Sequence, residues 1–140
     1  KRVFYMGRLD KDSEGLLLMT NNGEILNKMM RAGNYHEKEY VVTVDKPVTD
    51  DFIKKMSTGV RILDQVTRPC KVTKVKKHVF NIVLTQGLNR QIRRMCGELG
   101  YNVQKLKRIR IMNIELGNLP VGQYRKVTDS ELKELMRNFN

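Results

Sequence analysis

The sequence predicts a mixed α+β domain built on a largely antiparallel sheet flanked by helices, and three observations carry that reading. Residues 38–44, 71–77 and 79–85 are rich in β-branched residues and read as strands. The last two meet at Lys77-His78, a connection too short for anything but an antiparallel pair. Apolar residues at helical spacing fill the intervals between such runs, so strands and helices alternate around one core.

Taken in order, residues 1–5 read as a strand that enters in mid-fold, so further strands are expected ahead of them. Leu16-Leu17-Leu18-Met19-Thr20 is a short strand closed by the turn residues Asn21-Asn22-Gly23. Ile25, Leu26, Met29 and Met30 follow helical spacing up to a stop at Gly33-Asn34. The strand at 38–44 ends before Pro47, which cannot donate to a ladder. Thr49 with Asp50 and Asp51 supplies an N-cap and first-turn acids for a helix to about Met56. After the hairpin comes a helix whose apolar stripe is Ile92, Met95, Cys96 and Leu99, with Arg90 and Arg94 on the far side and Arg93 on the flank. Val103, Leu106, Ile109, Ile111, Ile114 and Leu116 mark a long extended stretch, and Pro120-Val121-Gly122 turns the chain. Thr128-Asp129-Ser130-Glu131 is a capping box opening a last helix with Leu132, Leu135 and Met136.

No repeat, low-complexity tract or linker divides the 140 residues, so they are read as one domain. Cys70 and Cys96 form no C-x-x-C pair and lack the neighbours a zinc site needs. This suits a reducing compartment. No apolar run approaches the roughly 20 residues of a membrane span, so no membrane partner is expected. The 27 Lys and Arg against 15 Asp and Glu leave a net charge of +12, which points to a polyanion, nucleic acid first. Between positions 86 and 113 stand Arg90, Arg93, Arg94, Lys105, Lys107, Arg108 and Arg110 against one acid, Glu98.

The segment Gly7-Arg8-Leu9-Asp10-Lys11-Asp12-Ser13-Glu14-Gly15 places acids at alternate positions before a Gly, as in the first half of a calcium loop. The closing bidentate Glu is replaced by Asn21, and a strand follows where a helix should, so calcium is rejected. The Gly-Lys-Ser/Thr ending of a phosphate-cradling loop is missing as well. What remains is Asp10 between Arg8 and Lys11, a carboxylate that neighbouring cations hold ionised. On residue types alone it is either a nucleophile or a turn-capping Asp.

Residues 7–21, Gly-Arg-Leu-Asp-Lys-Asp-Ser-Glu-Gly-Leu-Leu-Leu-Met-Thr-Asn, resemble the G-R-L-D-x-x-[ST]-x-G-L-L-x-x-T-N signature of the RsuA-type bacterial pseudouridine synthases. Lys38-Glu39-Tyr40 is similar to the family's K-x-Y strand, and Gln91-Ile92-Arg93-Arg94-Met95 to its Q-I-R-R-M block, in the same order and spacing. The resemblance implies the pseudouridine synthase catalytic fold across residues 1–140, with further catalytic strands and an S4-like RNA-binding domain upstream. It implies a reaction without cofactor or metal on RNA, with 23S rRNA the expected substrate and tRNA a further candidate, in a cytoplasmic monomer.

The resemblance also assigns roles. Asp10 would act at the anomeric carbon or on a neighbouring proton. Arg93 would hold that carboxylate through its planar fork. Tyr40 would stack on the uracil and shuttle a proton, Ile92 would pack on the other side of the base, and Arg8 would wedge into the space left by the flipped uridine. Arg90, Arg94, Lys105, Lys107, Arg108 and Arg110 are expected on phosphates. Two readings from other classes compete: a non-catalytic RNA-binding or ribosome-assembly module, and a metal-dependent phosphotransfer or hydrolytic enzyme using Asp10. The second is weakened by His36 and His78 standing alone.

Overall fold

The computed structural model describes residues 4–5, 9–30 and 36–137. Its elements run β1 (Phe4–Tyr5), β2 (Glu14–Gly15), β3 (Met19–Thr20), α1 (Gly23–Met30), β4 (Lys38–Val44), α2 (Asp50–Thr58), β5 (Arg61–Ile62), β6 (Gln65–Val66), β7 (Lys71–Lys76), β8 (Val79–Leu84), α3 (Gln91–Glu98), β9 (Val103–Ile111), β10 (Ile114–Glu115) and α4 (Asp129–Arg137). The main sheet has the order β10-β9-β4-β8-β7, and every pair along it is antiparallel. β2 joins β9 in parallel on the side away from β4. The predicted mixed, largely antiparallel architecture is therefore the one observed.

Alternation explains which face is covered. Val42, Val44, Phe80, Ile82, Leu84 and Leu106 point to one side of the sheet and are buried under Phe52 and Met56 of α2 and Ile92, Met95 and Cys96 of α3. Phe52 meets the Phe80 ring edge-on at 5.2 Å and lies 4.2 Å from the Tyr101 ring. Each such fully buried side chain contributes about 1.5–3 kcal/mol. A smaller cluster joins Leu16, Leu18, Ile111, Met112, Ile114 and Leu135, so α4 closes the end of the sheet where β2 arrives.

Both predicted caps form: the Phe52 amide donates to Thr49 Oγ1 at 3.0 Å, and Thr128 and Glu131 bond reciprocally at 2.8 and 3.1 Å. Two expectations need correction, and a third segment carries none. Residues 16–20 are not one strand: Glu14–Gly15 pairs with β9, Leu16 and Leu18 dive into the small cluster, and only Met19–Thr20 pairs with β1. The stretch from Val103 to Leu116 is not continuously extended, because Met112 takes φ 53° and folds β10 back on β9. Residues 61–66, unassigned from sequence, form a tight hairpin through Leu63 and Asp64 at φ 47° and 63°. The predicted helix stop at Gly33-Asn34 lies outside the described residues.

One irregularity in β9 sets the direction of two arginines. Tyr40 pairs with Arg108 but Glu39 pairs with Arg110, so one extra residue, Ile109, bulges from the strand. An inserted residue reverses the alternation. Arg108 therefore shares the covered face with Tyr40 while Arg110 shares the open face with Glu39.

Candidate active site

The Asp10 loop is anchored from two sides. On the sheet side, Gly15 lies beside Arg108, and the Leu16 amide donates to the Arg108 carbonyl at 2.8 Å. The Arg108 side chain, 2% exposed, returns a 2.8 Å hydrogen bond from Nε to the Leu16 carbonyl. Gly15 has φ +118°, and a Cβ there would overlap the Arg108 carbonyl oxygen and lie 2.5 Å from its nitrogen. Only glycine lets the two backbones approach so closely. Immediately before this anchor the chain turns, with the Ser13 amide donating to the Asp10 carbonyl at 3.0 Å, and leaves Asp10 half-buried.

The second anchor comes from the start of α3. Arg90 grips Asp12 with two parallel bonds, Nη1 to Oδ1 at 3.0 Å and Nη2 to Oδ2 at 2.9 Å. Arg93 Nη2 donates to the Asp12 carbonyl at 2.7 Å, and its Nε stands 3.4 Å from Asp12 Oδ1. The Arg90 hydrogen bonds, helped by the charges of Arg93 and Arg90, hold the Asp12 carboxyl down to about 2, despite partial desolvation. Arg90 in turn is raised, first by its bond to Asp12 and, to a smaller extent, by the negative charges of Asp12 and Asp10. The Asp10 carboxylate thus lies within the field of Arg90.

This corrects the expected pairing. Arg93 holds Asp12, not Asp10, because the turn through residues 10–13 presents Asp12 to the helix. In the sequence Asp12 is visible as one of the alternating acids, and its distance from the two arginines conceals its role. Gly15 is likewise visible as part of a motif, but its requirement comes from a strand more than ninety positions away.

Tyr40 lies on β4 directly across from Arg108, half-buried against the main core, on the covered face. Lys38, two residues earlier on the same face, is not among the site residues expected from sequence. It is half-buried, its Nζ stands 3.8 Å from where a Gly87 Cβ would lie, and burial followed by the charge of Arg108 lowers its pKa. The signal that points to it is the spacing: positions 38 and 40 of one strand share a face. Ile92 is 4% exposed and belongs to the main core beneath α3, which leaves little surface for a base.

The expected phosphate ligands divide. Arg108 is buried and occupied by Leu16, so it is a structural support and not a surface cation. Arg110 is taken up by Glu39 at 2.8 Å, Glu37 at 3.1 Å and the Met112 carbonyl at 2.7 Å on the opposite face. Arg90 is occupied by Asp12, Arg94 by the Asn89 carbonyl and side chain, and Lys105 faces Glu14 at 3.7 Å. Lys107 is half-exposed on β9. Arg8 lies outside the described residues.

Among the described residues no three of His, Cys, Asp and Glu are grouped so as to hold a metal ion. Burial pushes the Cys70 thiol up to about 11 and the Cys96 thiol up to about 12, which makes both poor nucleophiles. No described helix is long and apolar enough to cross a membrane. The described residues offer a half-buried carboxylate at Asp10 on a loop mounted on β9 and α3, with Tyr40 and Lys38 on β4, the strand on the other edge of β9.

Comparison with known proteins places this arrangement. The RNA pseudouridylate synthase family profile matches residues 1–98. The chain is 60% identical over 137 residues to the dual-specificity RNA pseudouridine synthase RluF of Escherichia coli (strain K12), covering 98% of this chain and 47% of that protein. It is 35% identical over 141 residues to the ribosomal large subunit pseudouridine synthase B of Bacillus subtilis (strain 168), covering 96% of this chain and 58% of that one. The chain thus spans about half the length of the curated relatives it matches. A crystal structure of a pseudouridylate synthase superposes with a TM-score of 0.90 at 30% identity, over 95% of this chain and 59% of the other. The archaeal box H/ACA sRNP Nop10-Cbf5 complex, with a TM-score of 0.57 at 18% identity over 82% of this chain and 40% of that one, shares the fold. The family profile covers the anchored Asp10 loop, the Tyr40 strand and the start of α3 together, and the chain belongs to the RNA pseudouridylate synthase family.

Proposed function

We propose that this chain is the catalytic domain of an RNA pseudouridine synthase acting on a uridine of 23S rRNA, with Asp10 as the catalytic group. The observation that carries the reading is the double mounting of the Asp10 loop, by Gly15 and Leu16 on β9 and by Asp12 on α3. A loop that only capped a turn has no use for two independent long-range anchors. The large-subunit substrate is supported by the name of the Bacillus subtilis relative, and a tRNA substrate is the second candidate, suggested by the dual specificity named for the Escherichia coli relative.

The reaction breaks the bond between C1′ and N1, turns the uracil, and forms a bond between C1′ and C5. The C5 hydrogen leaves as a proton and N1 gains one, so no electrons are exchanged with an outside partner. An ionised Asp10 serves either by attacking C1′, its ester bond being displaced when C5 bonds to C1′, or by removing the C2′ proton while the base departs and returning it as the C1′–C5 bond forms. Tyr40 stacks on the uracil from β4, and Arg93 and Arg90 act through Asp12 to hold the loop. Arg8 is the proposed wedge that takes the place of the flipped nucleotide. The enzyme works as a cytoplasmic monomer and needs no cofactor.

The test is tritium release from 23S rRNA labelled at uracil C5, with the intact protein and with Asp10→Asn. Release by the first and none by the second, with RNA binding retained, supports the reading. Tight binding by both without release would refute it in favour of a non-catalytic RNA-binding or ribosome-assembly module, once tRNA had also been tried.

A further inference from the structure

The net positive charge asks where RNA contacts the protein, and five of the seven cations of the basic stretch at residues 86–113 are already occupied or buried, which leaves Arg94, bonded only to neutral Asn89, and Lys107. Arg90 and Arg93 are held by Asp12, Lys105 by Glu14 and Arg110 by Glu37 and Glu39, while Arg108 is buried. A cation already neutralised by a carboxylate releases few counterions when a phosphate arrives.

The far edge of the sheet is different. Lys71, Lys74, Lys76 and Lys77 are exposed along and just beyond β7, and β7 is the last strand of the sheet. None of the four stands within 4.0 Å of a carboxylate among the described residues. Lys71 pairs with Val83 and Lys74 with Phe80, but the register slips so that Lys76 pairs with Val79. Val83 and Val79 lie on the open face and Phe80 on the covered face, so alternation already sets Lys71 and Lys74 on opposite sides of the strand edge and the slip returns Lys76 to the side of Lys71. The row is two strands from the Tyr40 strand β4 and four from β2, about 19 Å across the sheet from the strand that follows the Asp10 loop. That distance lets one folded RNA reach both.

We propose that this lysine edge is a second RNA-contact surface, gripping the phosphate backbone of an RNA arm whose target uridine sits at Asp10. It rests on the RNA synthase reading for its partner but not for its geometry. The surface supplies affinity and orientation, and takes no part in bond breaking.

Edge lysines also serve to keep sheets from adding strands to one another, so the test must separate the two. Lys71, Lys74, Lys76 and Lys77 are changed together to Glu, which keeps the edge charged and protected but repels phosphate. Binding of transcribed 23S rRNA to the intact protein is measured across a salt series, together with turnover at saturating RNA. Loss of four phosphate contacts lowers the slope of log K against log salt by about 3, at roughly 0.7–0.9 per contact. The expected result is that reduced slope, at least tenfold weaker binding at moderate salt, and a saturating rate within about twofold of wild type. Unchanged slope and affinity overturn the proposal. If the fourfold variant does not fold, Lys74→Gln with Lys76→Gln gives the same decision at about half the slope change. Failure of the synthase reading is seen separately, as wild-type binding without tritium release, and leaves the slope comparison to decide this surface.

Discussion

Replacing Gly15 by Ala tests whether the Asp10 loop, proposed as catalytic, depends on its approach to β9. The added Cβ would overlap the Arg108 carbonyl oxygen, and ordinary contact begins near 3.4 Å, so β2 and β9 must separate by about 1 Å. The residue would also be held at φ +118°, a conformation costing an L-residue about 1–3 kcal/mol. Weakening the hydrogen bonds between Leu16 and Arg108 adds about 1 kcal/mol for each. We expect a total destabilisation of about 3–5 kcal/mol, read as a lower denaturant midpoint at unchanged slope. Asp10 lies five positions upstream on the same short loop, and a misplacement of about 1 Å costs on the order of 100-fold in rate. Single-turnover tritium release should therefore fall about 100-fold while rRNA affinity changes less than threefold. A Gly15→Ala protein with wild-type stability and turnover would refute the argument, because nothing else in the loop could absorb the displaced strand.

Three other perturbations have defined outcomes. Asp12→Asn loses the charge-assisted grip of Arg90 and should lower kcat about tenfold with little change in KM; the Asp12 carboxyl is held to about 2, so the ratio to wild type should stay constant from pH 5 to 9, and a ratio that varies in that window would count against the positioning role. Arg125 and the Thr128 amide hold Glu131 down to about 2, below its ordinary 4.5, so its contribution to α4 is present above about pH 4.5 and lost as the pH falls toward 2; Thr128→Ala should cost about 1 kcal/mol at neutral pH, and equal urea midpoints would contradict the cap. Cys70 and Cys96 should resist a thiol reagent at pH 8 in the folded protein and react in denaturant, since burial keeps both protonated; rapid labelling of either in the native state would show the core opening there.

Local chemistry is legible from sequence wherever it is settled within a few residues. The Thr49 cap and the Thr128–Glu131 box each close within one turn, and β4, β7 and β8 declare themselves by composition. The apolar stripe of α3 is buried as its spacing requires. The motif around Asp10 is equally visible, and its resemblance to a family gives the residues roles that periodicity could not supply. Residues 61–66 escape a reading by pattern because their turn uses Leu63 and Asp64 at positive φ without the glycine that usually signals such a hairpin.

Sequence alone determined the alternation, the caps, the charge excess and the candidate carboxylate, because each depends on neighbours along the chain. Tertiary structure decided which cations remain available and what holds the site together. The bulge at Ile109 turns Arg108 inward and Arg110 outward, although the two are only two residues apart. The turn after Asp10 gives Arg93 to Asp12, and the backbone of Arg108 makes Gly15 indispensable. These contacts join residues roughly 70 to 95 positions apart. A charge reads the same in the sequence whether it faces solvent, a partner or the core, and only the packed chain decides which.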